Sequence, residues 1–364
     1  MMIGAIVGTG SGVHGWFDKI AKLNTKAQKN LQLAATKDSK WDEQKLLTRA
    51  REVFYNYQRD WNNNNIKPAK AYMVPEYYNH AYLMIEALKQ AGRQDFVVNP
   101  QITNMVLVEV KDAEHNDADS FTVAITAQAD DQLFDMTTKT LLFRDRSAFV
   151  EFWRFNRSGN KWLLAGIGQA TENVYSRNQS LEQFAANNRF YFSADWGWLL
   201  LPKRGQLFHK ANFGRSDINN HVIGMYNNIL IQLYNYVPIK TAKEGTGNYL
   251  IAQASLPKEY GNIVVRRKRK IGLFSKPKGL TKVTLEWKDF NSRYEVWASD
   301  MERATSFELL HPAFMVKLQE LPFEVNIEVV DSVVYLYSAK VKPVGENYKT
   351  LLSILQEAFK QMRM

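Results

Sequence analysis

The sequence predicts an α+β protein of two domains, and three observations carry that prediction. At 364 residues, the chain is too long for one ordinary core; roughly 150 residues per domain gives about two. Apolar residues at helical spacing come first, over residues 16–88, and strand-like alternation follows over 102–169. Helices first and strands second is the order of an α+β unit. Tight-turn residues such as Ser158-Gly159-Asn160 join neighbouring strands, which makes the sheet antiparallel. The hydrophobic share of 45% and charged share of 23% exclude whole-chain disorder. Absence of cysteine excludes a disulfide framework, a thiolate zinc site and a cysteine nucleophile.

Residues 1–37 read as a flexible leader, with Gly8, Gly10, Gly12 and Gly15, followed by a basic amphipathic helix over 16–35. Trp16, Ile20, Leu23, Ala27, Leu31 and Ala34 fall on one stripe of that helix. Lys19, Lys22, Lys26 and Lys29 fall on a neighbouring stripe. With Trp16 and Phe17 at its start, such a helix suits a membrane interface; the same stripe suits a helix packed on the protein body. Met1–Val7 is too short, and lacks the positive region, to be a signal peptide. No apolar run approaches the ~20 residues that cross a bilayer.

The first folded domain is expected over 38–172. Leu46, Ala50, Val53, Phe54, Tyr57 and Trp61 carry a helix that stops at the Asn62–Asn65 run. Pro68 and Pro75 punctuate the connection, and a second helix over 78–88 ends at Gly92. Strands are expected at 102–110, 121–128, 139–144, 149–157 and 162–169. The polar, Asn- and Gln-rich stretch 173–189 reads as a linker or linking helix, and a second α+β domain fills 190–364. Its strands are expected at 221–236, 248–254, 262–265, 281–287, 290–298, 324–330 and 333–341, mainly antiparallel, with a helix at 306–321. The chain ends in an amphipathic helix with Tyr348, Leu351, Leu352, Leu355, Ala358, Phe359 and Met362 on one face.

A family resemblance rests on the closing hairpin of the first domain. Phe149, Glu151, Phe152, Trp153, Arg154, Phe155 and Arg157, followed by Trp162, Ile167 and Gln169, resemble that of the mitochondrial inner-membrane translocase subunit 44-like family. Trp41 and the helix bearing Phe54, Gln58 and Trp61 resemble the family's opening. The likeness covers residues 38–172. It implies a cone of helices on a curved antiparallel sheet, like nuclear transport factor two, with a large apolar pocket. It also implies a membrane-associated adaptor in protein import or a membrane tether for ribosomes. The helix over 16–35 stands where the family carries membrane-contacting helices. Residues 200–342, with Phe290, Arg293, Tyr294, Trp297, Leu310, Pro312 and Phe314, resemble an uncharacterised bacterial domain often found in membrane proteins.

The net charge of +10 is localised. Residues 1–40 carry +4, residues 41–172 carry −3, and residues 258–282 alone carry +8. A localised excess implies a localised polyanionic partner. Arg266, Arg267, Lys268, Arg269, Lys270, Lys276 and Lys278 surround Leu273 and Phe274 in what reads as a hairpin-type loop. Cations near an anionic bilayer contribute ~1 kcal/mol each, and burying the two apolar residues adds ~1.5–3 kcal/mol each. The alternatives are a nucleic acid, for which the loop offers the single aromatic Phe274, and a solvated charge run.

Residues 10–15 match a dinucleotide fingerprint in form, but no second strand with an acidic residue follows, so no nucleotide cofactor is expected. The six histidines show no metal-ligand spacing, and no metal is expected. Tyr77, Tyr78 and His80 cluster near the second helix, with His80 read as a surface or satisfied core residue; Asp130, Asp131 and Asp135 read as a turn. Phe54, Tyr82, Trp153, Phe155 and Trp162 are the pocket candidates; core packing and an acyl-chain or peptide pocket both fit these rings. Together these features predict a non-catalytic peripheral membrane adaptor or scaffold at the cytoplasmic face, linked to protein translocation or membrane-protein biogenesis. Its expected partners are an anionic membrane surface and a protein. A ribosome or RNA tether and a small-molecule (lipid or apolar ligand) binding or enzymatic cone domain are the alternatives in function, and a soluble cytoplasmic protein is the alternative in location.

Overall fold

The computed structural model describes residues 11–169, 178–197, 199–200, 202–203, 205, 217–237, 248–268, 276–300 and 311–361. The chain divides into two compact units, Met1–Ser176 and Arg177–Met364. Each combines helices with an antiparallel sheet, the α+β class expected from the sequence.

In the first unit, α1 (Ser11–Ala35), α2 (Glu43–Asn62) and α3 (Pro75–Gln90) precede the sheet. The strands are β1 (Arg93–Lys111), β2 (Ser120–Asp135), β3 (Thr140–Asp145), β4 (Phe149–Ser158) and β5 (Lys161–Gln169), in the order β1-β2-β4-β5 with β3 also beside β2. Helix α2 starts where Asp42 accepts a bond from the Lys45 amide at 3.0 Å, a cap worth ~1 kcal/mol. Helix α3 starts on Pro75, whose missing N–H costs nothing at a first-turn position. It ends ahead of Gly92, whose φ of +66° belongs to the left-handed region. Phe54 and Tyr57 of α2 meet Trp153 of β4 at ring distances of 5.4 and 5.8 Å, fixing α2 against the sheet.

Helix α1 takes the other face. Ile20 packs with Val108 and Ala124, and Leu23 joins Val106, Val150 and Phe152, the outward positions of β1 and β4. The first sheet therefore carries helices on both faces. β1 is an edge strand bent by register shifts, one of them between Val98 and Gln101. Asn62 bonds Val97 in both directions at 2.7 Å. Asn24 and Asn30 donate to the carbonyls of Leu107 and Val110 at 2.8 and 3.1 Å. These side-chain amides occupy backbone groups that would otherwise recruit another strand.

The second unit is built on a nine-stranded sheet. Its elements are α4 (Gln179–Asn187), β6 (Tyr191–Gly197), β7 (Asp217–Tyr226), β8 (Ile229–Val237), β9 (Tyr249–Ser255), β10 (Asn262–Arg267), β11 (Thr281–Val283), α5 (Lys288–Arg293), β12 (Tyr294–Ala298), α6 (Pro312–Gln319), β13 (Asn326–Val330), β14 (Val333–Ala339) and α7 (Gly345–Gln361). The strand order is β11-β12-β10-β13-β14-β9-β8-β7-β6. Tyr348, Leu351, Leu355 and Phe359 of α7 share one core with sheet residues such as Val222, Leu233 and Leu336. The C-terminal helix therefore forms on the expected face; Met362 lies outside the described residues.

Five expectations need correction. The second unit begins before residue 190: 179–187, in the stretch read as a linker or linking helix, is a helix whose Leu181 and Phe184 enter the second core. The run 221–236 is two strands, because Asn227 and Asn228 adopt φ of 46° and 63° and turn the chain. The run 290–298 is helix α5 and then β12, and the strand expected over 281–287 ends at Val283. The basic loop is not a hairpin: β10 and β11 both pair antiparallel with β12, between them, so the loop joins two parallel strands across a third.

Candidate functional site

The basic helix keeps its charges in solvent and its apolar stripe in the fold. Ile20, Ala27, Leu31 and Ala34 are buried, while Lys19, Lys22, Lys26 and Lys29 are exposed along the opposite side. Burying Ile20 and Leu31 alone stabilises the docked helix by ~3–6 kcal/mol. Moving that stripe into a bilayer would uncover Val108 and Ala124 of the sheet beneath it, so the docked helix presents its lysines, not its apolar face, to an anionic surface. Leu33, 67% exposed, is the large apolar side chain left outside. The side chains of Trp16 and Phe17 lie outside the described residues.

The basic loop divides similarly. Arg266 is engaged by Glu295, Nε to Oε2 at 3.1 Å, and is no longer a freely presented surface cation. Burial alone would raise the Glu295 carboxyl; the donors Trp297 and Arg266 outweigh it and hold the carboxyl below its ordinary range. Lys268 donates from Nζ to the Asn291 carbonyl at 2.5 Å. Lys276 lies over the Trp297 ring at 5.9 Å. Arg267 and Lys278 are exposed. Arg269, Lys270, Leu273 and Phe274 lie outside the described residues.

Among the pocket candidates, Phe54, Trp153 and Phe155 are fully buried and packed ring against ring. Tyr82 stands on the outside of α3, 40% exposed and stacked on Tyr78 at 6.5 Å. Trp162 closes the outer end of this aromatic core, 4.9 Å from Trp41 and 5.0 Å from Phe121.

Beside Trp162 lies a cleft of about 610 Å³, bordered by Lys40, Lys45, Arg49, Asn160 and Lys161. The strand β5 brings Lys161 and Trp162 to it, and α2 brings Lys45 and Arg49, one turn apart on a single face. Arg49 donates from Nε to the Trp162 carbonyl at 3.1 Å. No single stretch of sequence shows this grouping, because its cations come from separated segments, and Lys45, Arg49 and Lys161 lie in a region of net negative charge. The i, i+4 spacing of Lys45 and Arg49 was the available signal.

The polar interior was also missed. Asp131 is not in a turn but inside β2, buried, with neither oxygen meeting a donor. Burial first, and the neighbouring Asp95 second, hold its carboxyl well above the usual range. Asp95 accepts from the Trp61 indole at 2.9 Å and is itself raised by burial. Glu151, fully buried, accepts from Trp153 Nε1 at 3.0 Å. His80 is half-buried against Tyr77, with ring centroids 6.3 Å apart. Burial pulls its imidazole down to about 4. Asp130, in contrast, faces solvent beside Arg144 and Arg146. Among the described residues, no three His, Asp or Glu side chains converge as metal ligands.

No protein-family model matches the sequence, and no curated protein matches it. Among solved structures, the chain is similar to the mycobacterial trehalose monomycolate transport factor A, TtfA, with a TM-score of 0.38 and 10% identity. That match covers 51% of this chain and 93% of the other. It is also similar to the intermembrane space region of the chloroplast protein ARC6, with a TM-score of 0.28 and 8% identity over 34% of this chain and 95% of that one. Likenesses at this level carry no argument about chemistry, which rests on this chain's own residues.

Proposed function

We propose that the protein is a non-catalytic peripheral adaptor that docks on an anionic membrane surface through the lysine face of α1, its first unit being a translocase-subunit-44-like domain. The observation that carries this is the division of α1: its apolar face is committed to the sheet, and Lys19, Lys22, Lys26 and Lys29 remain exposed in a row. Four cations at ~1 kcal/mol each supply about 4 kcal/mol, a millimolar contact that is reversible by itself. Arg267, Lys268, Lys276 and Lys278 add a second basic surface on the other unit, and two weak signals are what stable peripheral attachment requires. No helix among the described residues is long and apolar enough to cross a membrane. A docked adaptor of this kind would hold a protein partner at the membrane during translocation or membrane-protein biogenesis.

Co-sedimentation with phosphatidylglycerol-containing and with pure phosphatidylcholine vesicles tests this. The expected result is pelleting with the anionic vesicles only, lost at high salt. Absence of pelleting at low salt, or pelleting with both lipids alike, would overturn the membrane assignment. Salt-sensitive binding to ribosomes or RNA without lipid binding would replace it with a ribosomal tether.

A further inference from the structure

The cleft beside Trp162 is a further basic feature of the first unit, made of residues outside the lysine face of α1. Lys40, Lys45, Lys161 and Arg49 line one concavity of about 610 Å³. That is within the ~300–1,000 Å³ typical of small-ligand sites. The Arg49 side chain is 27% exposed and is oriented by its bond to the Trp162 carbonyl. A positioned guanidinium presents its remaining N–H groups as a planar fork, which suits phosphate oxygens. Below it, Trp162 is held by Trp41 and Phe121 and lies 5.9 Å from the Arg157 guanidinium, so this wall is rigid.

The counter-charges are accounted for. Asp42 approaches Lys45 at 3.6 Å and Glu52 approaches Arg49 at 3.7 Å, both in long, solvent-exposed pairs. Asp38 is engaged by Arg157 at 2.6 Å. Lys40 and Lys161 form no ion pair among the described residues. No acidic side chain lines the cleft. Cations gathered around a single hollow, rather than strung along a groove, match a compact multivalent anion better than an extended acidic peptide.

We propose that this cleft binds a phosphate-bearing anion, gripped by Arg49 and Lys45 of α2 together with Lys40 and Lys161. The source of the phosphate is either a free phosphate compound or a lipid headgroup, and soluble probes separate the two.

The test is isothermal titration calorimetry of the full chain with inorganic pyrophosphate and, in a second arm, with monomeric short-chain phosphatidic acid. Lys40→Glu/Lys161→Glu changes two exposed side chains without ion pairs, and a melting temperature close to wild type confirms its folding. Binding of either probe by the wild type, weakened at least tenfold in this variant and unchanged in Lys22→Glu/Lys26→Glu on α1, is the expected result. Stronger binding of pyrophosphate assigns a free phosphate; stronger binding of the phosphatidic acid assigns a headgroup. Absence of binding by both probes, equal binding by the cleft variant, or an equal loss in the α1 variant would overturn the proposal. So would tight binding of polyglutamate with neither phosphate probe bound. Because the probes are soluble, failure to bind vesicles leaves this result independent.

Discussion

Arg49 of α2 donates from Nε to the backbone carbonyl of Trp162 on β5 at 3.1 Å, tying the second helix to the last strand of the first sheet. The bond joins residues 113 positions apart and orients a guanidinium at the edge of the basic cleft. Arg49→Ala should lower the stability of the first unit by about 1.5–3 kcal/mol, the usual contribution of a charged hydrogen bond. Arg49→Lys keeps the charge but loses the fork and should recover only part of it. Urea unfolding of the three proteins measures this, and equal midpoints would show that the bond contributes nothing.

Docking of α1 gives a second expectation. Leu31 is buried, so Leu31→Ala should cost about 2–5 kcal/mol, whereas Leu33→Ala, on the exposed side, should stay within about 0.5 kcal/mol. Thermal unfolding of both variants reads the difference. Similar small losses would mean that the helix is not held by its apolar face.

The buried carboxyls make stability depend on pH. Asp131 and Asp95 both sit above their ordinary range, Asp131 well above it. Groups raised in the folded state contribute stability below their unfolded values, near pH 4, and lose it as pH rises through the folded ones. Asp131→Asn keeps the shape of the neutral acid and should raise the melting temperature more at pH 8 than at pH 5. His80 works in the opposite direction. With its imidazole pulled down to about 4, it contributes stability above about 6.5 that is lost as pH falls toward 4. His80→Gln should flatten that acid limb. A pH series of melting curves for wild type and both variants separates the two groups.

Asn62 closes the exposed edge at Val97 with two bonds of 2.7 Å. Asn62→Ala should cost about 1–3 kcal/mol through the unpaired backbone groups. It should also increase self-association, because an open edge recruits strands. Sedimentation velocity at increasing concentration checks this, and a strictly unchanged distribution would remove the edge-closing role.

Much of the fold was legible because it rests on local periodicity. The helix bearing Phe54, Tyr57 and Trp61 and the hairpin of Trp153, Phe155 and Trp162 show their spacing directly, and both occur where the spacing puts them. What the spacing could not show is which surface an apolar stripe meets. Ile20 and Leu31 fit a bilayer and a sheet equally well, and only the presence of Val108 and Ala124 opposite Ile20 decides for the sheet. Charge counting misled for a related reason. It drew attention to Arg266, which Glu295 engages, and away from Lys40, Arg49 and Lys161, which lie apart in sequence and meet only through tertiary structure. Asp131 read as a turn residue because aspartate is common in turns; its strand pairing with Val97 places it inside instead.

In the proposed docking, the exposed lysines of α1 meet an anionic bilayer while its apolar face stays on the sheet. The direct measurement is vesicle co-sedimentation of Lys19→Glu/Lys22→Glu/Lys26→Glu/Lys29→Glu beside wild type, on phosphatidylglycerol-containing vesicles at low salt. Reversing four surface charges leaves Ile20 and Leu31 in place, so the variant should melt near the wild-type temperature yet bind about a hundredfold more weakly or worse. A folded variant that pellets as well as wild type would contradict the claim.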